Sequence, residues 1–155
     1  MSTELKNNLI APCGMNCGLC YAYLRAKNTC LGCRCENKNK IFCQKCIIKN
    51  CVLLAQTTSN LCYECSKYPC TRLKQLDKRY RLKYKMSMIE NLDHINRFGL
   101  DNFVQKEAER WECPTCGGSL CVHKGYCLNC EIIISKCIRP LKPVKSSLNN
   151  QIDSQ

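Results

Sequence analysis

Between Thr71 and Trp111 the apolar positions recur at helical spacing. Leu73, Leu76, Tyr80 and Tyr84 line one face of a predicted helix, and basic residues fill the other faces. Ser87 followed by Glu90 is a capping box, and Met88, Ile89, Leu92 and Ile95 carry a second helix to a stop at Gly99. Asp101 is placed to cap a third, from Asn102 to Trp111. Further on, Glu131 to Ser135 encloses three isoleucines and reads as a strand. Arg139 to Gln155, with two prolines and a polar end, reads as a flexible tail.

Composition changes this picture through one residue type. The chain has 18 cysteines in 155 residues, twelve from Cys13 to Cys70 and six from Cys113 to Cys137, with none in the helical stretch between. The 45% hydrophobic fraction counts those thiols, so the remaining apolar residues leave much of the stability to staples. No apolar run is long enough to span a bilayer, and Met1 to Ile10 has neither the basic start nor the hydrophobic run of a signal peptide. A soluble cytoplasmic protein without a membrane partner is therefore expected. In a reducing compartment the thiols read as metal ligands and not disulfides.

The formal charge of +12 shrinks on the same account. A zinc ion on four thiolates carries −2, so about four such sites would leave about +4. What survives is local: Arg72, Lys74, Lys78, Arg79, Arg81, Lys83 and Lys85 stand against the single acid Asp77. These seven cations are the candidate nucleic-acid contacts.

Six CxxC pairs occur: Cys17/Cys20, Cys30/Cys33, Cys43/Cys46, Cys62/Cys65, Cys113/Cys116 and Cys127/Cys130. Two intervening residues let a tight turn aim both sulfurs at one ion, and two such knuckles close a tetrahedral site. Cys113, Cys116, Cys127 and Cys130 predict a zinc ribbon, with Gly117 and Gly118 supplying left-handed backbone and Trp111 packing over the site. His123 either replaces one ligand or hydrogen-bonds to one, although four cysteines already complete the set. Cys121 and Cys137 read as ordinary buried thiols.

In the first block, Cys17, Cys20, Cys30 and Cys33 form one candidate set and Cys43, Cys46, Cys62 and Cys65 another. Cys13, Cys35, Cys51 and Cys70 remain for a third, and interleaved ligation fits equally well. Cys13, Cys17 and Cys20 also form the CxxxCxxC triplet of radical S-adenosylmethionine enzymes, but no barrel of alternating strands and helices follows to support that chemistry. The bacterial-ferredoxin run of thiols is absent, while an N-terminal [4Fe-4S] cluster on other cysteines stays open. A catalytic zinc would want three ligands, an open position and a nearby base. The only histidines are His94, placed mid-helix as a surface or interface residue, and His123.

The segments APCGMNCGLCYAYLRA, CLGCR, CQKCIIKNC, LCYECSKYPCTRL and WECPTCGGSLCVHKGYCLNC together resemble the cysteine-rich family called domain of unknown function 3795. The resemblance covers most of Ile10 to Cys130 and implies a small prokaryotic metal-binding protein of unassigned activity. Its ligand candidates here are Cys13, Cys17, Cys20, Cys30, Cys33, Cys43, Cys46, Cys51, Cys62, Cys65 and Cys70, with Cys113, Cys116, Cys127 and Cys130 in the ribbon. Cys35 is an addition to the family pattern.

The sequence thus predicts a small metal-stabilised α+β protein. Residues 1–70 form a cysteine-rich zinc-knuckle domain, 71–111 a helical connector, 112–138 a zinc-ribbon module and 139–155 the tail. The expected cofactor is zinc, about three to four ions, with the [4Fe-4S] cluster as alternative. The expected function is a structural or interaction protein that binds another protein and has no evident catalytic centre. Nucleic-acid binding through the basic helix 71–85 and iron-sulfur redox chemistry are the alternatives.

Overall fold

A computed structural model describes residues 7–34 and 45–133. Cys35, Cys43 and Cys137, the end of the predicted strand at Ile134 and Ser135, and the tail from Arg139 lie outside the described residues. The described chain is mostly helical: α1 (Tyr21–Leu24), α2 (Thr71–Tyr84), α3 (Met88–Phe98) and α4 (Leu100–Arg110), with short 3-10 turns at Asn7–Leu9, Cys17–Leu19, Val52–Gln56 and Cys62–Glu64. Extended structure among the described residues is confined to isolated antiparallel bridges, Ile10 to Asn16, Glu112 to Ser119 and Tyr126 to Ile133. The helical half of the α+β expectation is therefore present, and the strand content is small.

The three long helices follow the apolar period, and their ends show why. Lys85 takes a left-handed conformation, φ 54°, and its N–H donates to Tyr80 O, which ends α2. The Ser87 hydroxyl accepts from Glu90 N at 3.1 Å, the first half of the predicted capping box. Asp77 completes this junction. Its carboxylate, 3% exposed as a residue, accepts from Ser87 Oγ at 2.6 Å and from Ile89 N at 3.1 Å. It also pairs with Arg81 Nε at 2.7 Å. One buried acid on α2 thus satisfies an open N–H at the start of α3, where the helix dipole favours negative charge.

The third helix begins two residues earlier than predicted. Gly99, at φ 87°, ends α3 and occupies the N-cap position of α4, so no side chain caps α4. Asp101 instead lies exposed in the first turn, where its charge still complements the helix dipole, and it accepts from Asn7 Nδ2.

One apolar cluster runs through the whole described chain, from Leu9, Ile10 and Leu19 through Leu61 and Leu73 to Met88, Leu92, Ile95 and Phe103, and on to Trp111, Leu120 and Val122. Cys17, Cys62, Cys113 and Cys127 belong to it. The protein therefore has an apolar core of its own alongside its thiols. Trp111 packs there, only 1% exposed, in the cluster that also holds Cys113 and Cys127.

Gly14 docks the first cysteine loop onto α3. Its φ is +90°, and a Cβ there would lie 2.9 Å from both Leu92 Cγ and Met88 O. Asn91 Nδ2 donates to Gly14 O at 3.0 Å across the same contact. On the other side, Val122 N donates to Leu19 O at 2.8 Å, tying the second cysteine block to the first. No helix among the described residues is long and apolar enough to cross a membrane.

Candidate metal centre

Cys113, Cys116, Cys127 and Cys130 converge. Their sulfurs all lie within 4.8 Å of one another, with 3.4 Å from Cys113 Sγ to Cys130 Sγ and 3.7 Å from Cys116 Sγ to Cys127 Sγ. Four thiolates at the zinc–sulfur bond length define a tetrahedron with edges of about 3.8 Å. The four side chains are thus already spaced for a single ion.

The backbone explains how the spacing arises. In the first knuckle Gly117 N donates to Cys113 O at 2.9 Å and Cys113 N to Gly118 O at 2.7 Å. In the second, Glu131 N donates to Cys127 O and Cys127 N to Ile132 O, both at 2.9 Å. The bridges flanking the two knuckles, Glu112 to Ser119 and Tyr126 to Ile133, stand at the same offsets. The site is one turn used twice, fourteen residues apart. Each copy needs left-handed backbone four residues after its first cysteine, supplied by Gly117 at φ 73° and by Glu131 at φ 62°.

Two sequence expectations change here. Gly118 is not left-handed; a Cβ at this position would meet Asn129 Nδ2 at 2.5 Å, so close approach between the knuckles explains the glycine. Glu131, expected to open a strand, instead closes the second knuckle. Nothing at Glu131 announces this, because the left-handed turn is recognisable only by its equivalence to Gly117.

The electrostatics of the quartet also favour a cation. Burial opposes ionisation of Cys113, but the N–H groups of Cys116 and Thr115 and the thiols of Cys130 and Cys116 bring it down to about 6. The Ile132 N–H favours the Cys130 thiolate, yet burial and the bonds from Cys113, Cys116 and Cys127 push it up to about 12. One thiolate forms readily and hinders the next, so full ionisation calls for a positive ion in the centre.

His123 is not a member of the quartet. It lies between the two cysteine blocks, its Nδ1 accepting from Tyr21 N at 3.3 Å and its Nε2 2.8 Å from Tyr80 Oη. The Tyr80 and Tyr84 rings meet it edge-on. Burial, then Lys124, lowers its pKa, which suits a neutral ring packed between helices. His94 is likewise an interface residue, with Nε2 2.9 Å from Asn102 Oδ1 and its ring against Phe98 and Phe103. Cys121 is fully buried, and that burial raises its pKa.

Among the described residues no other group of three or more His, Cys or carboxylate side chains gathers within 4.8 Å. In the first block, Cys33 N donates to Cys17 Sγ at 3.4 Å, and that thiol contact, then burial, raises Cys33. Burial raises Cys20, with Cys33 and Cys30 adding to it. These four are the first set expected from spacing. Burial raises Cys13 to about 12 against the Met15 N–H, with Cys33, Cys62 and Cys46 adding to the rise.

Cys43 and Cys35, one member of each of the other two expected sets, lie outside the described residues. Cys51 and Cys70 border a common cavity with Cys62 and Cys65, and Cys13 is not among its lining residues. The reason is local folding: Cys51 precedes the Val52–Gln56 turn and Cys70 precedes α2, which brings both toward the Cys62–Glu64 turn. Cys46 is exposed.

All seven cations of the basic stretch, Arg72, Lys74, Lys78, Arg79, Arg81, Lys83 and Lys85, are exposed. Arg81 is committed to the buried Asp77. Compared with known protein families, curated proteins and solved structures, the chain matches none.

Proposed function

We propose that this chain is a structural zinc protein that presents a rigid surface to another protein. The observation that carries the proposal is the closed quartet of Cys113, Cys116, Cys127 and Cys130, spaced for one tetrahedral ion. Four thiolates leave no open coordination position for substrate or water, which is the signature of a structural zinc site. The twofold use of one knuckle turn and the packing of Trp111 into the core anchor this centre to the helices. A metal held this way fixes the loops around it. Membership in the family named domain of unknown function 3795 and a cytoplasmic setting are part of the same reading.

Elemental analysis of the purified full chain and of Cys116→Ser is the test. The expected result is bound zinc in the parent chain, with one equivalent lost in the variant. Unchanged zinc in Cys116→Ser would overturn the assignment. A second reading, nucleic-acid binding, is favoured by the exposed row of cations along α2.

A further inference from the structure

The first cysteine block holds a cavity of ≈ 30 Å³ bordered by Cys51, Cys62, Cys65 and Cys70, with Ile48 and Leu73 among its apolar walls and Arg72 beside it. Its four thiols come from three turns. Cys51 and Cys70 occupy the N-cap positions of Val52–Gln56 and of α2. Cys62 opens the intervening 3-10 turn, and Cys65 N donates to Cys62 O at 3.1 Å to close it. The turn is pinned to the first cysteine loop, since Cys62 N donates to Pro12 O at 2.9 Å.

The contrast with the second block identifies the kind of centre. There the sulfurs stand in near contact, 3.4 and 3.7 Å apart, leaving room for one ion. Here the thiols surround a space, and among the described residues no three of them gather within 4.8 Å. A cubane cluster interposes its own iron and sulfide atoms between the ligating thiolates, so those thiolates stand farther apart than on a single ion. Apolar walls keep water from the inorganic sulfide. A [4Fe-4S]²⁺ core on four thiolates carries −2, and Arg72 and the positive end of α2 lie where that charge would sit.

We propose that Cys51, Cys62, Cys65 and Cys70 bind a [4Fe-4S] cluster in this cavity, separate from the metal centre of Cys113, Cys116, Cys127 and Cys130. The inference shares with the proposed function only the premise that this protein's thiols hold metals.

The test is iron, acid-labile sulfide and zinc content of the full chain prepared without oxygen and supplied with ferrous iron and sulfide. The expected result is about four iron and four sulfide per chain, with visible absorption that dithionite bleaches. Cys51→Ser and Cys70→Ser should lose most of the iron and keep zinc, while Cys116→Ser should lose zinc and keep iron. Protein that takes up no iron and loses a zinc in Cys70→Ser would overturn the cluster in favour of a second zinc site. Iron retained by both cavity variants would overturn the ligand set.

Should those variants fail to fold, Arg72→Gln leaves all four thiols in place. It should keep the iron and lower the reduction midpoint, because removing a nearby cation disfavours the more negative reduced cluster. An unchanged midpoint would overturn the location. Zinc persisting in Cys116→Ser would sink the quartet assignment alone and leave the cluster standing.

Discussion

Cys116 and Cys121 separate metal ligation from simple burial, because burial and ligation rank them in opposite order. Cys116 is exposed and Cys121 is 0% exposed. If thiols stabilised this protein by packing alone, Cys116→Ser would fall within about 0.5 kcal/mol of the parent, as exposed substitutions do. Cys121→Ser would cost about 1 kcal/mol. That cost is moderated because backbone N–H groups of His123 and Lys124 already point at the Cys121 sulfur and would serve a hydroxyl. If Cys116 is one of four zinc ligands, the ranking inverts. Structural zinc contributes about 10–16 kcal/mol in small metal-folded domains, so one ligand in four corresponds to about 3 kcal/mol. The assay is denaturant unfolding of the full chain, once with buffered zinc and once with a strong chelator. With zinc, Cys116→Ser should cost at least twice what Cys121→Ser does. With chelator the Cys116→Ser effect should collapse, while the Cys121→Ser effect persists. A Cys116→Ser protein within about 0.5 kcal/mol of the parent in zinc would refute the reasoning.

Asp77→Ala should destabilise the chain by about 3 kcal/mol, since it strands Ile89 N and removes the partner of Ser87 and Arg81; a loss below about 1 kcal/mol in urea unfolding would contradict the junction described. Glu107 is fully buried, and Arg110 Nη1 stands 3.7 Å from its carboxylate. Burial raises its pKa from 4.5 to about 7, against the opposing pull of Arg110 and Trp111. The folded state therefore holds the proton more tightly, and stability falls as pH rises from 4.5 to about 7, by up to about 3 kcal/mol. Glu107→Gln should flatten that segment of the stability profile, and an unchanged slope would assign it to other groups. For the nucleic-acid alternative, Arg79→Glu with Lys83→Glu spares the Arg81 ion pair and should abolish salt-dependent RNA binding if the α2 face contacts phosphate; undiminished binding by that variant would remove α2 from consideration.

The sequence alone determined what depends on near neighbours along the chain. Helices α2, α3 and α4 follow a period of three and four residues, and the Ser87 cap reaches three residues ahead, so apolar spacing and one serine sufficed to place them, the start of α4 to within two residues. The two C-terminal CxxC knuckles are legible for the same reason, each being a single turn. Tertiary structure decided everything that joins distant turns. Asp77 reads as the lone acid of a basic stretch, and only the approach of α3 turns it into a buried acceptor. Gly14 is one glycine among seven until Asn91 and Leu92 of α3 arrive against it. His123 lies beside a CxxC knuckle in sequence and among Tyr21, Tyr80 and Tyr84 in space. Which CxxC meets which other thiol is a question of the same kind. Spacing brings two sulfurs to one turn, but the partner turn is chosen by the packing of the core, and that packing set Cys51 and Cys70 beside Cys62 and Cys65.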